Sequence, residues 1–356
     1  MKQYYKILFL FLLLPTIAVA NSWRGKHTKT KTITKEFNVS ANADVILDNR
    51  YGSIDITTWN QNKVALEIKV KTNSNNEQKA QDRLDDIQIL VSGSNSEVSA
   101  KTQIGKNNNS WGWFKGNNSV NIDIEYIVKM PKSNNLDVDM DYGDVMISDV
   151  DGEVSVNLDY GKLIAGNLPN NGNSINLDYS RGSSVETMGN VTINIDYSSI
   201  DITSAGDVDL NTDYSDTSID NASNVKFNSD YGSIKLGIVN SFEGSSDYVA
   251  LKADKILENL VVDADYGSLK IGELGPNFKK VSVTTDYLGV KLGVPASSSF
   301  KYQLESKYGG ISVPDGVNNI KQIEKSTSKY FEGDYNGSNG NIYIKTSYGS
   351  IKIYKI

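Results

Sequence analysis

Along most of this chain apolar residues stand two positions apart, and each pair is followed by a tyrosine. Four residues before the tyrosine come Val138, Val156, Ile175, Ile193, Leu210, Phe227, Val262, Val283, Leu304 and Ile344. Two before it come Met140, Leu158, Leu177, Ile195, Thr212, Ser229, Ala264, Thr285, Ser306 and Thr346. A spacing of two is the period of a strand with one buried face. A second short strand follows, with Val145, Leu163, Ile200, Ile234, Leu251, Leu269, Val290, Ile311 and Ile351 three after the tyrosine. Parity slips by one between the two strands. A bend at the Gly or Ser after the tyrosine is expected to absorb the slip, because glycine adopts turn geometry at low cost. The tyrosine shares the parity of the first buried face, so its ring is expected to point inward or to close the corner.

The tyrosines themselves define the repeat. They are Tyr142, Tyr160, Tyr179, Tyr197, Tyr214, Tyr231, Tyr248, Tyr266, Tyr287, Tyr308 and Tyr348, at steps of 18, 19, 18, 17, 17, 17, 18, 21, 21 and 40 residues. The last step reads as two units with an irregular one between. Tyr51-Gly52-Ser53-Ile54 is an earlier copy. Each unit is too short to bury its own apolar stripe, so units must stack to form a common core. The fold expected is all-β: a right-handed parallel β-helix (β-solenoid) with rungs of about 18 residues, since parallel crossovers are overwhelmingly right-handed. A rise of about 4.8 Å per rung gives a rod of roughly 50 Å. The competing fold, an antiparallel sandwich of hairpins, would place turn pairs every 8–12 residues or so and would lack in-register columns. Local irregularity is expected at Tyr179, where Gly182 replaces an apolar residue, and at Tyr248, preceded by Gly244 and Ser246.

Organisation along the chain follows from the same pattern. Residues 1–20 read as a signal peptide: Lys2 and Lys6, the apolar run Ile7 to Leu14, then Ala18-Val19-Ala20. Residues 21–135 read as a β-rich N-terminal cap with a short helix near 75–86. Residues 136–356 hold the solenoid repeats, with an irregular surface excursion at 314–340. The last rung, from Ile342 to Ile353, is expected to end the chain as a sheet edge in need of protection.

Composition narrows the chemistry. There is no cysteine, and His27 is the single histidine, which excludes thiol catalysis and disfavours zinc or Ser-His chemistry. A formal charge of −7 disfavours nucleic acid and anionic lipid as partners. No run after the signal reaches about 18 apolar residues, so no transmembrane span is expected after cleavage.

Three features are candidates for function. The first is an outward column of carboxylates immediately before the tyrosines: Asp141, Asp159, Asp178, Asp196, Asp213, Asp230, Asp247, Asp265 and Asp286. Neighbours one rung apart repel, so the column is either satisfied by turn hydrogen bonds and solvent or is a weak cation ladder, with Ca2+ the candidate ion. Lys235, Lys270, Lys291 and Lys352 recur four after the tyrosine and are candidates to screen it. The second is an amide column at Asn157, Asn176, Asn194, Asn211 and Asn228. Stacked amides hydrogen-bond along a parallel stack, which makes this column structural, with a carbohydrate-contacting face as the minority reading. The third is the loop Trp111-Gly112-Trp113-Phe114 between Asn-rich flanks. Its rings are candidate partner or glycan contacts, or a plug for the end of the stack. The tyrosine column itself, from Tyr142 through Tyr266, reads as structural.

The Tyr-Gly-Ser-Ile rungs, with Tyr126-Ile127-Val128-Lys129-Met130-Pro131 leading into Val138, resemble bacterial "putative adhesin" proteins, a β-strand-repeat family of unknown function, over roughly residues 36–356. The resemblance implies a β-helical fold and a cell-envelope setting, and it carries over no catalytic residue. The function expected is a non-catalytic exported envelope or surface protein, periplasmic, outer-surface or secreted. It would offer an extended surface to a protein or glycan. A periplasmic structural or sensory partner-binding protein is the alternative. A polysaccharide-acting enzyme is disfavoured, because a catalytic carboxylate pair should break the uniform column at one groove.

Overall fold

The structure is a computed structural model, and it describes residues 25–105 and 119–356. Strands β1 (His27–Asn38), β2 (Asp44–Trp59) and β3 (Lys63–Ser74) lead into helix α1 (Glu77–Asp86). Then follow β4 (Ile87–Gly93), β5 (Glu97–Ile104), β6 (Asn121–Pro131) and β7 (Asn135–Ile147). Short strands come next: β8 (Val154–Asp159), β9 (Leu163–Leu168), β10 (Asn173–Asp178), β11 (Ser183–Met188), β12 (Val191–Asp196) and β13 (Ser199–Ala205). The chain ends with β14 (Val208–Leu274), β15 (Lys280–Val294), β16 (Phe300–Lys307), β17 (Ile311–Ser312), β18 (Asn318–Lys325), β19 (Ser328–Tyr335), β20 (Gly340–Ser347) and β21 (Ile351–Lys355).

Alternate strands pair in parallel. β8, β10, β12 and the start of β14 lie side by side, and so do β9, β11, β13 and the next stretch of β14. The register is that of the sequence columns: Leu158 opposite Leu177 opposite Ile195 opposite Thr212. Each coil therefore contributes one strand before its tyrosine and one after it. The inward residues of both strands, such as Ile175, Leu177, Ile200 and Ile202, are buried in one continuous core. The coil at Tyr179 carries one extra residue: Gly182 takes a φ of 75° and Ser183 falls opposite Ile200. At Tyr248, Gly244 leaves the column empty, and Phe242 fills the space by stacking on Phe227 at 4.5 Å.

The first coil is β2, with Tyr51 opposite Tyr142 of β7. The residues between them close the end of the stack. β5 and β6 flank the two halves of β2 in parallel. β4 and β3 then pair antiparallel with β5 and β6, and β1 pairs antiparallel with β3. Helix α1 buries Ala80, Arg83 and Leu84 and packs on β3, β1 and β4. Asn76 caps it, accepting a hydrogen bond from the Lys79 N–H at 3.0 Å.

At the other end the order in space departs from the order in sequence. β20 lies between β15 and β16, in parallel with both. β21 lies between β15 and β17. The Tyr348 coil is thus inserted between the Tyr287 and Tyr308 coils, and the chain terminus is not an edge. The segment 314–340, read as an irregular excursion, is instead a hairpin: β18 and β19 pair antiparallel, and β19 covers β16 antiparallel. The physical reason is closure. A bare parallel edge invites pairing with other chains, and the hairpin gives β16 an antiparallel partner opposite its parallel neighbour β20. Among the described residues, no helix is long and apolar enough to cross a membrane.

Candidate binding surface

In the ten coils from Tyr160 onward the corner between the two strands is made by the tyrosine itself, whereas at Tyr51 and Tyr142 the positive φ falls on the following Gly52 (124°) and Gly143 (148°). Ten tyrosines, from Tyr160 to Tyr348, adopt φ between 50° and 59°. This is the left-handed region, which costs a residue with a Cβ about 1–2 kcal/mol. The expected bend at the following Gly or Ser is therefore displaced by one residue. Gly143, Gly232 and Gly267 do have positive φ, but at 148° to 152°. The left-handed turn swings each ring out of the core, against the expectation that it points inward. These rings are 40% to 61% exposed.

What offsets the strain is visible in the next coil. Twelve rings, Tyr51, Tyr142 and the ten beyond, form one stack down the edge. Centroids are 4.6 to 5.4 Å apart and planes within 15° of parallel. Tyr348 stacks on Tyr287 at 4.6 Å and on Tyr308 at 4.8 Å, confirming the inserted coil. Stacking of this kind is worth about 0.5–1.5 kcal/mol per pair beyond buried area. Burial of each hydroxyl's surroundings, then neighbouring tyrosines, hold the phenols of Tyr160, Tyr197, Tyr231 and Tyr266 above their ordinary pKa. Since ring faces are covered by other rings, the edge displays ring rims and hydroxyls. It is not a platform for stacking sugars.

Sequence reasoning missed a second corner device, the serine after the tyrosine. The buried Ser198 hydroxyl accepts the Ser180 N–H at 2.9 Å, and the Ser215 hydroxyl accepts the Ser198 N–H at 3.0 Å. Ser198 Oγ in turn donates to Asp196 O at 2.7 Å. The change from Tyr-Gly to Tyr-Ser at Tyr179, Tyr197 and Tyr214 was the signal for it: each hydroxyl satisfies a buried amide of the preceding coil.

The outer face of the strands before the tyrosines is mainly polar, with Val261 and Tyr343 the exceptions in the column five before the tyrosine from Tyr142 on. The Asp column lies along it, next to the ring stack. Asp159, Asp196 and Asp213 have raised pKa values, first through partial burial and then through neighbouring column carboxylates. Asp141 is paired with Arg50 at 3.6 Å, and Asp265 accepts the Asp286 N–H at 2.8 Å. Among the described residues, no group of three or more His, Asp or Glu side chains is placed to hold a metal ion. The carboxylates Asp178, Asp230 and Asp247 continue the same row, one to a coil. Lys235, Lys270, Lys291 and Lys352 make no ion pair among the described residues; the nearby bridge is Lys252 to Asp254 at 3.2 Å.

Two residues earlier in each strand, on the same outer face, runs the amide column. Asn176 donates to Asn157 at 2.6 Å, Asn194 to Asn176 at 2.7 Å and Asn211 to Asn194 at 3.0 Å. Asn228 accepts from Ser245 at 3.1 Å. Two hollows open on this face. One, of about 500 Å3, is lined by residues including Asn190, Thr192, Asp207 and Asn224. The other, of about 560 Å3, is lined by residues including Asn211, Asn228 and Asp263. They share Asp209, Lys226 and Glu243. The loop with Trp111, Trp113 and Phe114, and the segment 1–20, lie outside the described residues.

No protein-family model matches the chain, and no curated protein matches it. Among solved structures, it is similar to a putative adhesin from Parabacteroides merdae at 9% identity, covering 92% of this chain and 96% of that one, with a TM-score of 0.40. It is similar to a putative adhesin from Parabacteroides distasonis at 9% identity, covering 94% and 98%, with a TM-score of 0.37. A putative cell adhesion protein from Clostridium sporogenes is similar at 13% identity, covering 93% and 100%, with a TM-score of 0.20.

Proposed function

We propose that this chain is a right-handed parallel β-helix, exported after loss of residues 1–20, that acts without catalysis as an adhesin-like protein of the cell envelope. Residues 21–135 form its cap and residues 136–356 its binding rod. The observation that carries the reading is the long edge: twelve stacked tyrosines, of which the nine from Tyr142 to Tyr287 are each preceded by an aspartate. A catalytic site concentrates distinct groups at one point. A uniform row does the opposite, and suits a long partner engaged at many weak points. Each coil adds little, and the sum sets the affinity.

Two measurements test this. Protease treatment of intact cells should release fragments of the chain if it sits on the outer surface. Purified mature protein should bind whole cells or envelope extracts, and replacing several edge tyrosines by phenylalanine should weaken that binding while the fold is kept. Full retention of the chain inside intact cells, together with no binding to any envelope preparation, would exclude the adhesin-like role.

A further inference from the structure

The polar face holds a more specific site, and its assignment rests on the extended-surface reading above. We propose that the two joined hollows form a cleft for a neutral linear polysaccharide, lying along the axis of the stack. The first observation is shape. The lining runs from Asn171 and Asn173 in the Tyr179 coil to Ser282 and Thr284 in the Tyr287 coil. That is six coil steps, or roughly 30 Å at the inter-strand spacing, enough for several sugar units.

The second observation is an interruption in the amide ladder. Asn157, Asn176, Asn194 and Asn211 are joined by hydrogen bonds. Between Asn211 and Asn228 the chain of bonds stops, and both residues line the second hollow. Among the described residues, Asn211 Oδ1 accepts no hydrogen bond and Asn228 Nδ2 donates none. An acceptor and a donor are thus left one coil apart where the cleft opens. A sugar hydroxyl both donates and accepts, so it suits such a pair.

Charge and topology narrow the ligand further. The lining carries Asp207, Asp209, Asp263 and Glu243 against the single cation Lys226, so a polyanion is repelled. A polypeptide adding a strand needs an open sheet edge. This is the face of a sheet whose strands are paired on both sides. A neutral polyhydroxy chain meets neither obstacle.

Affinity electrophoresis of the full mature chain tests the assignment. The gels would hold laminarin, hydroxyethylcellulose or dextran, with polygalacturonate as the acidic comparison. At least one neutral polymer should retard the protein. Asn211→Ala with Asn228→Ala should then weaken binding about tenfold or more, equivalent to ~1.4 kcal/mol. Lys226→Trp should block the cleft and abolish retardation. Asn157→Ala, on the same ladder but outside both hollows, should bind as the parent does, and melting curves would verify that all variants fold. The proposal is overturned by no retardation in any neutral polymer, by retardation in polygalacturonate alone, or by equal binding of parent and Asn211/Asn228 variant. Envelope binding that survives in that variant would remove the cleft and leave the adhesin-like reading standing. Loss of envelope binding by the parent would remove that reading itself.

Discussion

Replacing Tyr197 separates the two forces that meet at every corner. Its ring is stacked on both sides, at 5.0 Å on Tyr179 and 4.9 Å on Tyr214, with planes 2° apart. Its backbone is held at a φ of 51°. Tyr197→Ala loses two stacks, about 1–3 kcal/mol in all, and keeps the left-handed strain. Tyr197→Gly loses the same stacks but relieves strain of about 1–2 kcal/mol. Against that, glycine's extra freedom in the unfolded chain costs about 0.5–1 kcal/mol. Glycine should therefore fall between alanine and the parent. Tyr197→Phe keeps rings and backbone and should match the parent closely. Urea denaturation, compared at constant m-value, ranks the four proteins. If alanine costs nothing, stacking does not hold the corner. If glycine is worse than alanine, the corner is not strained.

Ser198→Ala leaves the buried Ser180 N–H without its acceptor and should cost about 1–3 kcal/mol, measured as a lower denaturation midpoint. Leu177→Ala, fully buried in the common core, should cost about 2–5 kcal/mol in the same assay. The raised pKa of Asp196, from partial burial and then Asp178, means the folded chain binds that proton more tightly than the unfolded one. Its contribution to stability therefore rises as pH falls through the window above the ordinary carboxylate value and is lost towards neutrality. Asp196→Asn should raise the melting temperature at neutral pH and flatten its pH dependence; a lower melting temperature at neutral pH would contradict this. Deleting residues 340–356 removes β20 from between β15 and β16 and β21 from between β15 and β17, so limited proteolysis should then degrade the chain inward from β16.

Much of the fold was legible because the apolar columns at Ile175, Leu177, Ile193 and Ile195 repeat in the same register as the strands they form. The direction of the tyrosines was not legible. Alternation places Tyr197 with the inward residues, and only the left-handed turn, which periodicity does not encode, reverses it. The place of the last coil was hidden for a different reason. Ile344 and Thr346 fit beside Val283 and Thr285 as well as Leu304 and Ser306 do, so column chemistry could not choose between neighbours. The 40-residue step to Tyr348 hinted at a departure, and the hairpin at Asn318–Tyr335 is what fills it. The Asn column was legible as a ladder. Its interruption at Asn228 and the hollows around Lys226 depend on how successive coils sit against one another, which residue type alone does not specify.

The central claim is the coil register, and paired cysteines test it most directly because the chain has none of its own. Asn176 and Asn194 are partners in adjacent parallel strands, about 4.8 Å apart and inside the Cα window of roughly 4.4–6.8 Å for a disulfide. Asn176 and Thr192 face the same way but are displaced by two residues, about 8 Å apart. Under mild oxidation Asn176→Cys with Asn194→Cys should cross-link within the monomer, and Asn176→Cys with Thr192→Cys should stay reduced. Cross-linking of the displaced pair, or of neither, would contradict the stacked-coil arrangement on which the tyrosine edge and the polar face depend.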